Sequence, residues 1–280
     1  MAARRRASGV RHDYSEVLMS DEIRCVDAAR ADPRGTLIAL DVDGTISAIA
    51  PTPGEALIDA SLRRTLQALA QRYHLWFLSG RDADQIRDML RIEKAGYVGA
   101  HGLEIWDASG LRPLVQAPGL QSQLGNLCDS VTADVPEVSA HVERKRWGVA
   151  FHYRIVPRSS EVRKRLKSSI EARLPPGLRV RSGKQVYEVV PALDYDKGTA
   201  LGWLIDTLRP RLVFVAGDDL TDVPMFKLVA ERRSRSELDG LSVAVLQGRE
   251  TPREVVDAAD VAVDGVQELH RLLLRLHSSR

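Results

Sequence analysis

Asp41-Val42-Asp43-Gly44-Thr45 follows the apolar run Leu37-Ile38-Ala39-Leu40. That arrangement puts two carboxylates on a tight glycine turn at the carboxyl end of a buried strand, where ligands gather in open α/β sheets. One carboxylate can attack phosphorus and form an acyl-phosphate. The other can handle the proton, while oxygens from both positions hold a hard cation such as Mg²⁺. An ordinary acidic turn would read the same way, because Asp and Gly are common turn residues.

Three further polar clusters share that setting: Ser79-Gly80-Arg81, Lys197, and Asp218-Asp219 with Asp222. Ser79 offers a hydroxyl and backbone donors at a helix start, a ready anion site. Lys197 opens a helix and supplies a positive charge for phosphate oxygens. Asp218 and Asp219 complete a carboxylate cage that repels itself unless a cation fills it. Each cluster alone is an everyday turn, cap or surface lysine. Their shared position at strand ends and one helix start is what points to phosphoryl transfer.

Positioning them requires a parallel sheet. A strand over Thr36–Asp41 precedes a helix with Leu62, Leu66, Leu69 and Tyr73 on one face. A strand over Leu75–Leu78, a short helix with Ile86, Met89 and Leu90, and a strand over Tyr97–Ala100 follow. That order predicts helices covering a parallel sheet. The pattern changes at the turn cluster Asp107-Ala108-Ser109-Gly110 and resumes near Tyr195. After it come a helix over Lys197–Leu208, a strand over Arg211–Ala216, a helix over Thr221–Ala230 with Pro224 in its first turn, a strand over Leu241–Leu246, and a closing helix with Val266, Leu269, Leu272 and Leu273. The expected architecture is α/β: a doubly wound parallel-sheet core over 35–107 and 196–280, interrupted by an α/β insert over 108–195. The insert reads as helix, two adjacent strands, helix, strand, and its strands are expected to be antiparallel. Residues 1–34 form an N-terminal segment. Its first twelve residues are Arg-rich and suit a solvated tail, and Tyr14–Ala31 reads as a helix or a loose stretch.

Composition excludes several classes. Of 280 residues 44% are hydrophobic and 28% charged, with a net charge of +2, which describes a soluble globular protein and gives no basic face for nucleic acid. No apolar run is long enough to cross a bilayer. Cys25 and Cys128 lack metal spacing and read as reduced thiols in a cytoplasmic protein.

With these motifs the chain resembles the haloacid dehalogenase superfamily of phosphatases. The finer motifs are Leu78-Ser79-Gly80-Arg81, His101-Gly102-Leu103-Glu104, Val142-Glu143-Arg144-Lys145, Phe151-His152-Tyr153-Arg154, Asp196-Lys197-Gly198-Thr199-Ala200 and Gly217-Asp218-Asp219-Leu220-Thr221-Asp222. They resemble the trehalose-6-phosphate phosphatase family. The resemblance implies Asp41 as nucleophile, Asp43 as general acid/base and metal ligand through its backbone carbonyl, Ser79 and Lys197 on the phosphate, and Asp218 on Mg²⁺. Asp219 and Asp222 become supporting acids, and Gly80, Arg81 and His101 join the substrate site. Two departures stand out. Val223-Pro224 replaces the usual acidic position, and Ile46-Ser47 replaces Leu-Ala.

Strand parity inside the insert sorts its residues. Glu143 and Lys145 share a face, as do His152 and Arg154, and as do Lys184 and Glu188. Trp147, Val149, Phe151 and Tyr153 take the other face, toward helices carrying Leu120, Leu124 and Leu127 and Val162, Leu166 and Ile170. By itself this suits a half-exposed sheet with a solvated charged face. The resemblance implies instead that Glu143, Lys145, Arg154, Lys184 and Glu188 bind sugar hydroxyls, and that the insert caps the core. It also implies trehalose 6-phosphate as substrate and a trehalose-phosphate synthase as pathway neighbour. Another sugar phosphate (of sucrose or glucosylglycerol), an inactive sugar-phosphate binding module, and a metal-nucleotide glycosyltransferase are the competing readings.

Overall fold

The computed structural model describes residues 22–48, 58–154, 156, 159–183, 185–248 and 251–277. Met1–His12, the first eight residues of the expected helix over Tyr14–Ala31, and Lys184 lie outside the described residues. Two compact units divide the chain, the first running to Arg112 and resuming at Tyr195, the second spanning Pro113–Asp194.

The first unit is built on an eight-stranded sheet. In chain order its elements are α1 (22–31), β1 (Thr36–Leu40), α2 (Ala60–Ala70), β2 (His74–Leu78), α3 (Ala83–Leu90), β3 (Gly96–Gly99), β4 (Glu104–Asp107) and β5 (Gly110–Pro113). The second unit holds α4 (Leu120–Asp134), β6 (Val142–Lys145), β7 (Gly148–His152), α5 (Ser159–Arg173), β8 (Leu178–Gly183) and β9 (Val186–Pro191). The first unit then resumes with α6 (Lys197–Leu208), β10 (Leu212–Gly217), α7 (Val223–Ser234), β11 (Asp239–Leu246), α8 (Arg253–Ala258), β12 (Val261–Asp264) and α9 (Gly265–His277).

Strand order in the large sheet is β12-β11-β10-β1-β2-β3-β4-β5. Pairing is parallel from β12 to β3 and turns antiparallel at β4. β1 is therefore central, and all five of its residues are buried, as a strand covered on both faces must be. Ile38 and Leu40 join a core with α1, α2, α3 and α9, through residues such as Val26, Leu62, Leu66, Ile86, Leu269 and Leu273. Leu37 and Ala39 point to the opposite face by strand alternation. α6 and α7 cover that face with Leu201, Leu204, Met225, Phe226 and Val229, all buried. The chain leaves β1 toward β2 on one side and later returns to β10 on the other. The crevice between β1 and β10 is thus the topological switch point.

The second unit is a four-stranded antiparallel sheet, β6-β7-β9-β8, backed by α4 and α5. The α/β class, the parallel core and the separate antiparallel sheet are as expected from sequence. Four details differ. The turn cluster at 107–110 closes the β4–β5 hairpin, which extends the core sheet instead of ending it. The last expected strand of the insert is two strands, because the turn after Gly183 uses Gln185 at φ 62 and lacks the usual Asn-Gly or Pro signal. The helix expected from Thr221 starts at Val223, because Asp219 accepts from the Thr221 N–H and hydroxyl and holds 219–222 as a turn. α8 and β12 lie between the last expected strand and the closing helix and add to the expected order.

Candidate active site

Strand ends at the switch point bring the acids together. Asp41 continues β1, and its N–H donates to Ala216 O at 2.9 Å, which locks it beside the end of β10. Asp218 follows β10 directly. Lys197 is the first residue of α6, whose N-terminus is capped by the Asp196 carboxylate accepting from Thr199 N at 2.8 Å. Its Nζ donates to Asp41 Oδ1 at 2.6 Å and to Asp222 Oδ1 at 2.7 Å. Lys197 and Asp41 are 2% and 4% exposed, so this is an ion pair removed from water.

Charge balance there is lopsided. Among the described residues one group of acids, Asp41, Asp218 and Asp222, gathers its carboxylate oxygens within 4.8 Å. Among the described residues, Lys197 is the ammonium that faces them. Burial pushes Asp41 up to about 7, with Lys197 opposing and Asp218 adding to the rise. Asp218 is likewise pushed to about 7 by burial and then by the charges of Asp222 and Asp219. Asp222 reaches about 7 by burial against the pull of Lys197. Burial works to lower the Lys197 ammonium, but the Asp222 and Asp41 charges outweigh it and hold Lys197 well above the ordinary range. A cluster of this kind, all hard oxygen ligands with excess negative charge, fits a divalent cation.

Hydrogen bonds sort the three acids by availability. Asp222 is fully committed: Oδ1 holds Lys197, and Oδ2 accepts from Asp218 N at 3.0 Å and Asp219 N at 3.1 Å. It braces the lysine and the loop after β10. Gly217 permits this, since a Cβ there would overlap the Asp222 carboxyl. Asp218 Oδ1 accepts from Thr45 Oγ1 at 3.2 Å, and the lack of a Cβ at Gly44 (φ 90) lets that carboxylate lie against the loop after β1. Asp41 and Asp218 are therefore the side chains suited to hold a cation.

The remaining predicted residues fall into a second knot. Arg81 clasps the half-buried Asp43 carboxylate in two bonds, Nε to Oδ2 at 2.7 Å and Nη2 to Oδ1 at 2.5 Å. Asp43 is thus turned to Arg81 and stands outside the acid group. Ser79 Oγ accepts from Arg81 N at 3.2 Å, and Ser79 O accepts from His101 N at 2.9 Å. The His101 ring lies over Gly80, where a Cβ would come within 2.6 Å of Nε2. Ala100, His101 and Gly102 are consecutively left-handed, at φ 50, 56 and 114, which folds this turn back on the end of β2. Asp219 is held low: burial raises it, but the Lys197 charge and the two bonds from Thr221 outweigh that.

Sequence reasoning did not assign two supporting residues. Glu104, 1% exposed, accepts from Ala83 N at 2.7 Å and so caps α3, whose own Asp82 makes no side-chain cap. The signal was an acid flanked by the apolar residues Leu103, Ile105 and Trp106. Gly198 lets α6 approach α7, because a Cβ there would lie 2.7 Å from Pro224 Cβ. That gives Pro224 a packing role beside Lys197.

In the second unit, described by itself, the charged residues pair along one sheet face. Lys145 Nζ lies 2.7 Å from Glu188 Oε1, and His152 Nε2 lies 3.3 Å from Glu143 Oε2. Val149, Phe151, Tyr187 and Val189 are buried on the other face. Arg154 follows β7 and is exposed.

A family model described as trehalose-phosphatase matches residues 39–258, which takes in the whole acid cluster and Lys197. The chain belongs to the trehalose-phosphatase family. A trehalose-phosphate phosphatase of Mycobacterium ulcerans is 33% identical over 235 residues, covering 79% of this chain and 59% of that protein. The chain thus spans about three fifths of that curated relative. Among solved structures, the C-terminal domain of a Candida albicans trehalose-6-phosphate phosphatase superposes with a TM-score of 0.68 at 20% identity, covering 91% of this chain and 96% of that one. A haloacid dehalogenase-like hydrolase from Bacteroides thetaiotaomicron gives 0.64 at 17% identity, covering 86% and 99%. At these identities the two structures speak for the fold. This trehalose-phosphatase family member therefore carries its acid cluster on a haloacid dehalogenase-like frame. Among its described residues, no helix is long and apolar enough to cross a membrane.

Proposed function

We propose that the chain is a Mg²⁺-dependent phosphatase that hydrolyses trehalose 6-phosphate to trehalose and phosphate. One observation carries the chemistry: a buried ammonium, Lys197, lies 2.6 Å from Asp41 at the switch-point edge, with Asp218 alongside. The substrate rests on family membership and on the name of the mycobacterial relative.

In this reading an Asp41 oxygen attacks phosphorus, and the bond from phosphorus to the sugar oxygen breaks. The leaving oxygen takes its proton from Asp43. Ionised Asp43 then takes a proton from water as that water attacks phosphorus. The bond to Asp41 breaks, phosphate leaves, and both carboxyls return to their starting state. Lys197 and the Ser79 hydroxyl hold phosphoryl oxygens, with Gly80, Arg81 and His101 around them. Arg81 clasps Asp43, and an incoming phosphate competes for that guanidinium and frees the carboxyl to turn toward the leaving oxygen. Asp41, Asp218 and the Asp43 backbone carbonyl would hold Mg²⁺, which when bound neutralises charge on the phosphoryl oxygens. The second unit acts as a cap, with Glu143, Lys145, Arg154, Lys184 and Glu188 recognising sugar hydroxyls. A trehalose-phosphate synthase supplies the substrate, in the cytoplasm.

Phosphate release from trehalose 6-phosphate, sucrose 6-phosphate and glucosylglycerol phosphate, each with Mg²⁺ or with EDTA, tests the proposal. Mg²⁺-dependent release fastest from trehalose 6-phosphate is expected. Equal rates on all three would refute the substrate assignment, and tight binding without turnover would make the chain a binding module.

A further inference from the structure

The loop after β1 is closed on itself by short bonds. Ile46 N and Ser47 N both donate to Val42 O at 3.0 Å, and Gly44 N donates to Ser47 O at 2.8 Å. Besides the Thr45–Asp218 and Asp43–Arg81 bonds, the Gly44 carbonyl is gripped from outside the loop. Its partner is the side-chain amide of Gln247, which donates from Nε2. Gln247 directly follows β11, two strands from β1 with β10 between them. Its own backbone is fixed, since its N–H donates to Thr251 Oγ1 at 2.6 Å.

We infer that Gln247 is a positioning residue, which sets the Gly44–Thr45 peptide and through it the Asp218 carboxylate relative to Asp41. This rests on the phosphatase reading only for its effect on rate. A peptide group is planar, so holding the Gly44 oxygen fixes where Thr45 begins. Thr45 Oγ1 donates to Asp218 Oδ1 at 3.2 Å. Gly44 is also packed so closely on Asp218 that not even a methyl group fits between them. A shift of the loop is therefore passed directly to Asp218. Glycine at φ 90 has no side chain of its own to hold that conformation, so the Gln247 bond adds to the backbone bonds that close the loop. Gln247 itself is bonded to neither Asp41, Asp218 nor Lys197, and acts on them through the loop.

The tests are Gln247→Glu and Gln247→Ala. Gln247→Glu keeps the shape but sets an acceptor against the carbonyl, and Gln247→Ala removes the tether. Misplacement of a reacting group by a fraction of an ångström to 1 Å costs about 10- to 100-fold in rate. For both variants kcat is expected to fall about tenfold or more, with KM for the sugar phosphate within about twofold. Mg²⁺ affinity measured by calorimetry is expected to weaken, more in Gln247→Glu than in Gln247→Ala. Thermal midpoints in EDTA should stay near wild type. Unchanged kcat and unchanged Mg²⁺ affinity would overturn the inference. So would a loss of activity that merely follows the unfolded fraction. If the wild type releases no phosphate, the phosphatase reading fails, and calorimetry alone decides: weaker Mg²⁺ binding in both variants supports the tether, and wild-type binding refutes it.

Discussion

Metal-free protein should lose stability as pH rises from 6 to 8, and Mg²⁺ should restore it. Asp41, Asp218 and Asp222 each sit at about 7 in the fold, against 3.8 for an ordinary aspartate. A carboxylate raised in this way binds extra protons in the folded state. Its contribution therefore declines as pH climbs from about 4 to 7 and levels off above. Between pH 6 and 8 one such group costs the fold about 1 kcal/mol. The three acids raise one another, so their costs overlap, and the cluster costs at least that much, or roughly 2–4 °C or more in melting temperature for a chain of this size. Lys197 is raised in the fold, so its contribution is lost only at far higher pH and does not enter this window. Mg²⁺ binds the ionised acids, so its stabilisation should be larger at pH 8 than at pH 6. Thermal unfolding at both pH values, in EDTA and in saturating Mg²⁺, reads this directly. Asp41→Asn serves as the internal control and should reduce the pH 6-to-8 loss by about 1 kcal/mol. Metal-free protein equally stable at both pH values, or an equal Mg²⁺ shift at both, would refute the reasoning.

Gly217→Ala should be damaging although it adds one methyl group. The new Cβ overlaps the Asp222 carboxyl and drives it off Lys197 and the two loop N–H groups, at a cost of about 2–5 kcal/mol by urea unfolding, with turnover lost. Glu104→Ala should leave the Ala83 N–H buried without its acceptor and cost about 1–3 kcal/mol, seen as a lower urea midpoint at unchanged m.

Much of this arrangement is legible in sequence because strand ends are. The run Leu37–Leu40 followed by Asp41 reads as a buried strand with chemistry at its tip, and Lys197 and Asp218 take their places from the same periodicity. What periodicity cannot give is which acid faces which partner. Asp41, Asp218, Asp219 and Asp222 look alike in the sequence, yet Asp222 is consumed by Lys197 and two backbone N–H groups, and Asp219 by Thr221. Asp43 turns to Arg81 because a guanidinium 38 residues away in sequence reaches it from the end of β2. Gln247 carried no signal at all: its role exists only because β11 and β1 flank the same strand. The β8–β9 hairpin reads as one strand in the sequence because a non-glycine residue, Gln185, takes the left-handed conformation at its turn.

The central claim is that Asp41 is the nucleophile of a phosphate-releasing site held by Lys197 and a divalent cation. Phosphate release from trehalose 6-phosphate in Mg²⁺, by wild type and by Asp41→Asn of equal folded fraction, tests it most directly. Turnover is expected from the wild type and none above background from Asp41→Asn. Release by Asp41→Asn at a rate near wild type would contradict it.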